Sequence, residues 1–297
     1  MFLSLTGRAP LPLSKALRFD TALAGTPTAP LAERRGAWQP PLPSRYGLGL
    51  RSPVHALLAD AEGVWAWAPD DAHAAATRHA SVPAWFEAHP GCDVRLWVAA
   101  QLTRSPDRPH AAAHDDEAAL RSRARQEFIH RHGRVAAAWA LATWKNDAAR
   151  GVCALAGIDL NVMNRDASRH GVRVQSVVPW WYHAFLAAKR CVSALNQAEQ
   201  GQVWVVEGAH VAWITTTRGL LADVQQRPLE TASVGALQAL ITEAAVQRNG
   251  LGTATVVLGQ GLADGANTGG LNALVLGRLD GQQPPLWLRP SAHEALH

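Results

Sequence analysis

Residues 202–219 read QVWVVEGAHVAWITTTRG, two runs of β-branched and aromatic residues on either side of Glu207-Gly208-Ala209-His210. Branched side chains suit a pleated surface and glycine suits a chain reversal, so this stretch is a β-hairpin. Residues 54–68, VHALLADAEGVWAWA, repeat the texture around Asp60-Ala61-Glu62-Gly63. After the first hairpin, DDAHAAATRHASVPAWFEAH (70–89) reads as an alanine-rich helix and a turn, and DVRLWVAAQL (93–102) as a strand. Asp115, Asp116 and Glu117 then open a helix to about His132, where acids suit the helix dipole. RVAAAWALATW (134–144) is strand-like, with a helix as the rival because of its alanines, and GVCALAGIDL (151–160) leads into a helix ending near Arg169. VRVQSVVP (172–179) is a strand stopped by Pro179, and WWYHAFLAAKRCVSAL (180–195) is a helix. After the second hairpin come a helix from about Ser233 to Gln247, a buried strand TATVVL (253–258), a glycine-rich turn GQGLADG (259–265) and a last strand ALVLGRL (273–279). The order is α/β in two similar halves. The first fifty residues stand apart as an irregular arm rich in proline, with Pro10, Pro12, Pro27, Pro30, Pro40, Pro41 and Pro43.

The chain has 297 residues, 48% hydrophobic and 18% charged, enough to bury a core in one large domain or two modest ones. Its net charge of +4 comes almost wholly from arginine, since Lys15, Lys145 and Lys189 are the only lysines. No basic run interleaves with aromatics, which argues against nucleic acid as a partner. Cys92, Cys153 and Cys191 are odd in number and contain no CxxC pair, which excludes a disulfide framework and a cysteine zinc site and points to a reducing cytoplasm. The most apolar stretch, 174–188, is interrupted by Gln175, Pro179 and His183, and the first residues lack the pattern of a signal peptide.

The commonest catalytic signatures are missing. No lysine follows a glycine, so there is no P-loop, and neither GxSxG nor HExxH occurs. His110 and His114 are four apart, but Pro109 and the acids at 115–117 make their segment a solvated loop entering a helix rather than a metal site. His130 and His132 decorate a helix end. GQGLADG approaches a dinucleotide loop, with Asp280 about twenty residues on, yet too little chain follows for a Rossmann unit, and it reads as a strand-to-helix turn. Of the twelve tryptophans, Trp65, Trp67, Trp97, Trp139, Trp144, Trp204 and Trp213 fall in strand-like runs and are expected in the core. Trp180, Trp181 and Tyr182 open a helix and form the candidate docking patch, with Arg121, Arg123 and Arg125 as a rim steering an acidic tail.

The hairpin HALLADAEGVWAWA, the strand DVRLWVAAQLTR, the arginine-rich helix EAALRSRARQEFIHRH, the linker VRVQSVVPWWYHAFLAA and the second hairpin VWVVEGAHVAWITTTRGLL follow one another. That succession resembles the actin-like pilus and secretion assembly proteins, the type IV pilus M protein and the cytoplasmic part of the type II secretion L protein. The resemblance covers about two-thirds of the chain, from Val54 to about Leu262, through weak motifs. It implies an actin-like, duplicated RNase H-like α/β fold of two lobes with mixed sheets flanked by helices. The arm would occupy 1–50, a first lobe with an inserted subdomain 51–177, and a second lobe 178–297. Actin-like ATPases hold Mg-nucleotide on two hairpin loops; here those are Asp60–Gly63 and a second loop in which the expected Asp-Ile-Gly-Ala reads Val206-Glu207-Gly208-Ala209. The resemblance therefore implies a non-hydrolysing scaffold with no catalytic residues and no metal. ATP, if bound at all, would be held weakly by Glu207, Gly208, Gly259 and Gly261. Expected partners are a bitopic inner-membrane assembly protein or its cytoplasmic tail and an assembly ATPase, which would attach the chain peripherally to the inner membrane. The alternatives are an active nucleotide-dependent phosphotransferase of the sugar-kinase kind and a basic nucleic-acid-binding protein.

Overall fold

A computed structural model describes residues 54–67, 76–106, 116–147, 149–247 and 254–281. The proline-rich arm, His110 and His114, and the start of the alanine-rich run at 70–75 lie outside the described residues.

The first hairpin forms as expected, with β1 (Val54–Asp60) antiparallel to β2 (Gly63–Trp67). The next segment differs from the expectation. Thr77–His79 is a short strand, β3, antiparallel to β2, and helix α1 (Val82–Ala88) starts only after it. Ser81 fixes that start by accepting a hydrogen bond from Ala84 N at 3.2 Å, and Pro83 sits in the first turn, where its missing N–H costs nothing. β4 (Asp93–Val98) and β8 (Arg173–Pro179) complete a sheet of order β3-β2-β1-β4-β8, with β1, β4 and β8 parallel.

Between β4 and α3 (Leu160–Arg169) an inserted subdomain carries β5 (Thr103–Arg104), α2 (Glu117–His132), β6 (Ala140–Lys145) and β7 (Arg150–Leu155). Its antiparallel sheet of order β5-β7-β6 has a core of its own, built on Leu120, Phe128, Leu141 and Val152. The ambiguous alanine run divides, because a 3₁₀ turn over Arg134–Ala138 precedes β6.

Helices α4 (Trp180–Cys191) and α5 (Ser193–Gln197) lead into β9 (Gln200–Glu207), β10 (His210–Thr217) and β11 (Leu220–Pro228). β11 has no counterpart in the sequence-based expectation, since Gln225, Gln226 and Arg227 give it the polarity of a loop. α6 (Val234–Gln247), β12 (Ala254–Gln260) and β13 (Leu274–Leu276) follow, and the second sheet has order β11-β10-β9-β12-β13. Its pairing senses repeat those of the first sheet, antiparallel on the hairpin side and parallel on the other.

Alternation along β9 decides what each residue faces. Val203 and Val205 join the large core shared with α4 and the first sheet, while Trp204 and Val206 join the core beneath α6. Burial of α4 on both faces follows from its place among β8, β9 and β12. Among the described residues, no helix is long and apolar enough to cross a membrane.

Candidate functional site

The two hairpin turns sit at the junction of the lobes, and each of their acids is engaged. In the first turn, Asp60 Oδ1 accepts from Glu62 N at 2.9 Å, and its carboxylate pairs with the Arg78 guanidinium at 2.6 and 2.7 Å. Arg78, on β3, lies over the Trp65 ring at 4.6 Å and is held above its ordinary pKa chiefly by the hydrogen bonds to Asp60. In the second turn, Val206 faces α6, so Glu207 is the residue that reaches across. Both its carboxyl oxygens take the backbone N–H of Ala100, at 3.2 and 3.1 Å, where a 3₁₀ turn (Ala100–Leu102) leaves β4. Burial pushes the Glu207 carboxyl up to about 8, the Ala100 N–H opposes this, and the Asp60 charge adds to it. Opposite Glu207 in the hairpin register stands His210, lowered by burial and by Arg104. Further bonds join the lobes: Gln226 of β11 accepts from Ser105 N at 3.1 Å and donates to Thr103, and Asn146 donates to Leu221 O at 2.7 Å.

The glycines named as nucleotide ligands pack against one another. A Cβ on Gly259 (φ +135°) would lie 2.0 Å from Val206 O, and one on Gly261 (φ +82°) 2.9 Å from Gly208 Cα. Only glycine lets the end of β12 approach the second turn this closely. The contact is closed by Gly208 N donating to Gln260 O at 2.9 Å, and Gly261 N donates to Gly281 O at 2.9 Å, tying the turn to the stretch after β13. Asp264, in the same glycine-rich turn, accepts from Val234 N at 2.7 Å and so caps α6. The turn is a structural junction. The amide of Gly208 and the acid of Glu207, which a phosphate and its metal would require, are thus bonded within the protein.

The proposed docking patch requires correction. Trp180 and Trp181 are 1% and 0% exposed, because the helix that Pro179 starts is sandwiched between the sheets, and Tyr182 is half-buried beside them. Arg125 turns inward and donates to the carbonyls of Ala136, Ala137 and Trp139, closing the 3₁₀ turn, with its pKa lowered first by burial and then by Arg121. Arg121 pairs loosely with Glu117 at 3.8 Å, and Arg123 lies on the exposed face of α2. These residues therefore form no common surface. Of the seven tryptophans expected in the core, Trp67, Trp97, Trp144, Trp204 and Trp213 are buried, the last two stacking at 5.2 Å, while Trp65 and Trp139 are half-buried and Trp139 precedes β6. Cys153 is buried, with its thiol pushed up to about 12, mainly by burial. His132 packs on Trp139 and Phe128, and among the described residues no group of three or more His, Cys, Asp or Glu side chains has the arrangement to hold a metal.

An open pocket of about 350 Å³, unannounced by any motif, adjoins the first turn. Its walls come from that turn, residues 80–83 at the head of α1, Leu102, and the β7-to-α3 connection with the first turns of α3. Distant loops meet there, so only the fold reveals it.

Two sheets of one strand order, repeated with one set of pairing senses and facing each other across hairpin turns, define the architecture. The fold is actin-like. No protein-family model and no curated protein matches the sequence. Among solved structures, the chain is similar to the cytoplasmic domain of EpsL, an inner membrane component of the type II secretion system of Vibrio cholerae. That likeness has 12% identity and a TM-score of 0.47, over 82% of this chain and 96% of that one. It is similar also to a Bacteroides thetaiotaomicron protein of actin-like ATPase fold and unknown function, at 8% identity and TM-score 0.45, over 70% of this chain and 81% of that one. A PilM–PilN type IV pilus biogenesis complex gives 11% identity and TM-score 0.45, over 76% of this chain and 89% of that one.

Proposed function

We propose that this chain is a non-hydrolysing, actin-like platform subunit of a type IV pilus or type II secretion-like assembly machine. In this reading it stands at the cytoplasmic side of the inner membrane, held by a bitopic assembly protein or its tail, with the assembly ATPase as a second contact. The observation that carries it is the internal engagement of both hairpin turns. Asp60 is committed to Arg78, Glu207 to Ala100, and the Gly208 amide to Gln260. Nucleotide chemistry in such a fold needs those groups for phosphate and metal, whereas a scaffold needs only their rigidity. The machine itself is suggested by the order of sequence landmarks from Val54 to Leu262.

Tagged full-length protein incubated with native membranes is expected to recover a bitopic inner-membrane assembly protein. Recovery of nucleic acid in its place overturns the reading. Calorimetry with Mg-ATP is expected to show no binding in the micromolar range. Micromolar affinity, or turnover abolished by Glu207→Ala, would overturn this expectation.

A further inference from the structure

The pocket beside the first turn combines an apolar wall with carboxylates at its rim. Leu102, Ile158, Val162 and Met163 contribute the wall, and Val162 is 43% exposed, unusual for a large aliphatic side chain in this protein. Asp60, Asp159 and Asp166 also line it, and among the described residues no lysine, arginine or histidine does. Asp60 is paired with Arg78, and Asp166 with the largely exposed Arg169. Asp159 is satisfied by the amides of Asn161 and Val162 alone, at 2.8 and 3.2 Å, with no cation beside it among the described residues. An apolar surface edged by Asp159 and by the surface-paired Asp166 suits a segment that carries both aliphatic and basic side chains.

The chain contains such a segment. Residues 1–53 hold seven of the 28 basic residues and two of the 24 acidic ones, which leaves 21 against 22 in the rest. All of the surplus positive charge therefore belongs to residues 1–53, and the rest of the chain is close to neutral. Residues 13–19 of the arm, LSKALRF, place Lys15 and Arg18 among Leu13, Leu17 and Phe19. The arm joins the fold at Val54, and the other end of the same seven-residue strand, Asp60, lines the pocket. At the usual rise per residue the two ends of β1 are about 20 Å apart. Thirty-five positions separate Phe19 from Val54, and the reach of a chain of that length far exceeds the distance along β1, so the tether permits the docking and keeps the segment at high effective concentration.

We propose that residues 13–19 dock in this pocket within their own chain, the aliphatic side chains against the Leu102–Met163 wall and Lys15 and Arg18 toward Asp159 and Asp166. The arm is then a tethered occupant of the first lobe. This docking does not depend on the assembly role and is tested on the purified protein alone.

The full-length chain carrying the photo-cross-linker p-benzoyl-phenylalanine at position 17 is irradiated in dilute solution, and the products are mapped by mass spectrometry. Cross-links within one chain to residues 80–83 or 157–166 are expected. The Asp159→Asn/Asp166→Asn variant should lower their yield about five-fold or more, since two charge contacts are lost. Asparagine at 159 still caps α3, so the fold is kept. In the wild type, raising salt from about 0.05 to about 0.5 M should lower the yield as well. Cross-links between copies would make a second chain the occupant and overturn the proposal. Cross-links elsewhere, or a yield indifferent both to the two aspartates and to salt, would overturn it equally.

Discussion

Gly259→Ala is expected to cost more than about 4 kcal/mol or to prevent folding of the second lobe, whereas Gly208→Ala should cost only about 1–2 kcal/mol. Both glycines have positive φ, +135° and +61°, so both variants bear backbone strain. What separates them is space. A methyl group at Gly259 would sit 2.0 Å from the Val206 carbonyl oxygen and 2.7 Å from its nitrogen, in the ladder that joins β12 to β9, while nothing lies within 4 Å of one at Gly208. Backbone on backbone cannot yield as a flexible side chain can, so relief requires parting two central strands of the sheet. Urea unfolding followed by tryptophan fluorescence, without nucleotide, makes the comparison. If the glycines were present only to admit a ligand, the two variants would be about equally stable. Similar midpoints for Gly259→Ala and Gly208→Ala would therefore rule out close packing as the reason for the glycine-rich turn.

Much of the architecture was legible because its strongest signals are local. The runs at 203–206 and 211–217 and at 54–60 and 63–67 announce their hairpins, and the acids before α2 announce its start. The third strand of each sheet was not legible, for two different reasons. β3 has three residues, two of them exposed, and follows an alanine-rich run, so no alternation marks it. β11 is long, but Gln226 and Arg227 are used in contacts to other elements, with Gln226 bridging to the inserted subdomain and Arg227 facing Glu243, and such contacts have no periodic trace. The site was legible only in part. Glu207 was marked by its place in the hairpin turn, but its reach to Ala100 spans 107 positions and depends on which face of β9 points to the first lobe. The buried Trp180 and Trp181 misled for the opposite reason. An aromatic cluster at a helix start has the same composition in a docking patch as in a core, and only the second sheet lying over α4 distinguishes them.

The stability that Glu207 contributes should fall as pH rises from about 5 to about 8, and Glu207→Gln should abolish that fall. The Glu207 carboxyl has an ordinary pKa of 4.5 and stands at about 8 in the folded protein, chiefly because burial disfavours its charge, with the Asp60 charge adding to it. The folded chain therefore keeps a proton that the unfolded chain releases. The stability due to this group is fully present below the ordinary value and is lost as pH rises through the folded one. A shift of this size corresponds to roughly 5 kcal/mol for complete burial, and because Glu207 as a residue retains some exposure, about 2–3 kcal/mol is the better expectation. For a folded body of this size that is about 5–10 °C in Tm. Glutamine keeps an oxygen to accept the Ala100 N–H and cannot ionise, so the variant should melt with the wild type near pH 5 and above it at pH 8. His79 and His210, whose pKa burial lowers, work in the opposite direction, but both are present in both proteins, so the difference between the two melts isolates Glu207. Thermal melts of the pair across that range decide the matter: parallel curves would mean that the carboxyl is not confined between the lobes, and that water reaches the cleft at the point where Glu207 meets Ala100.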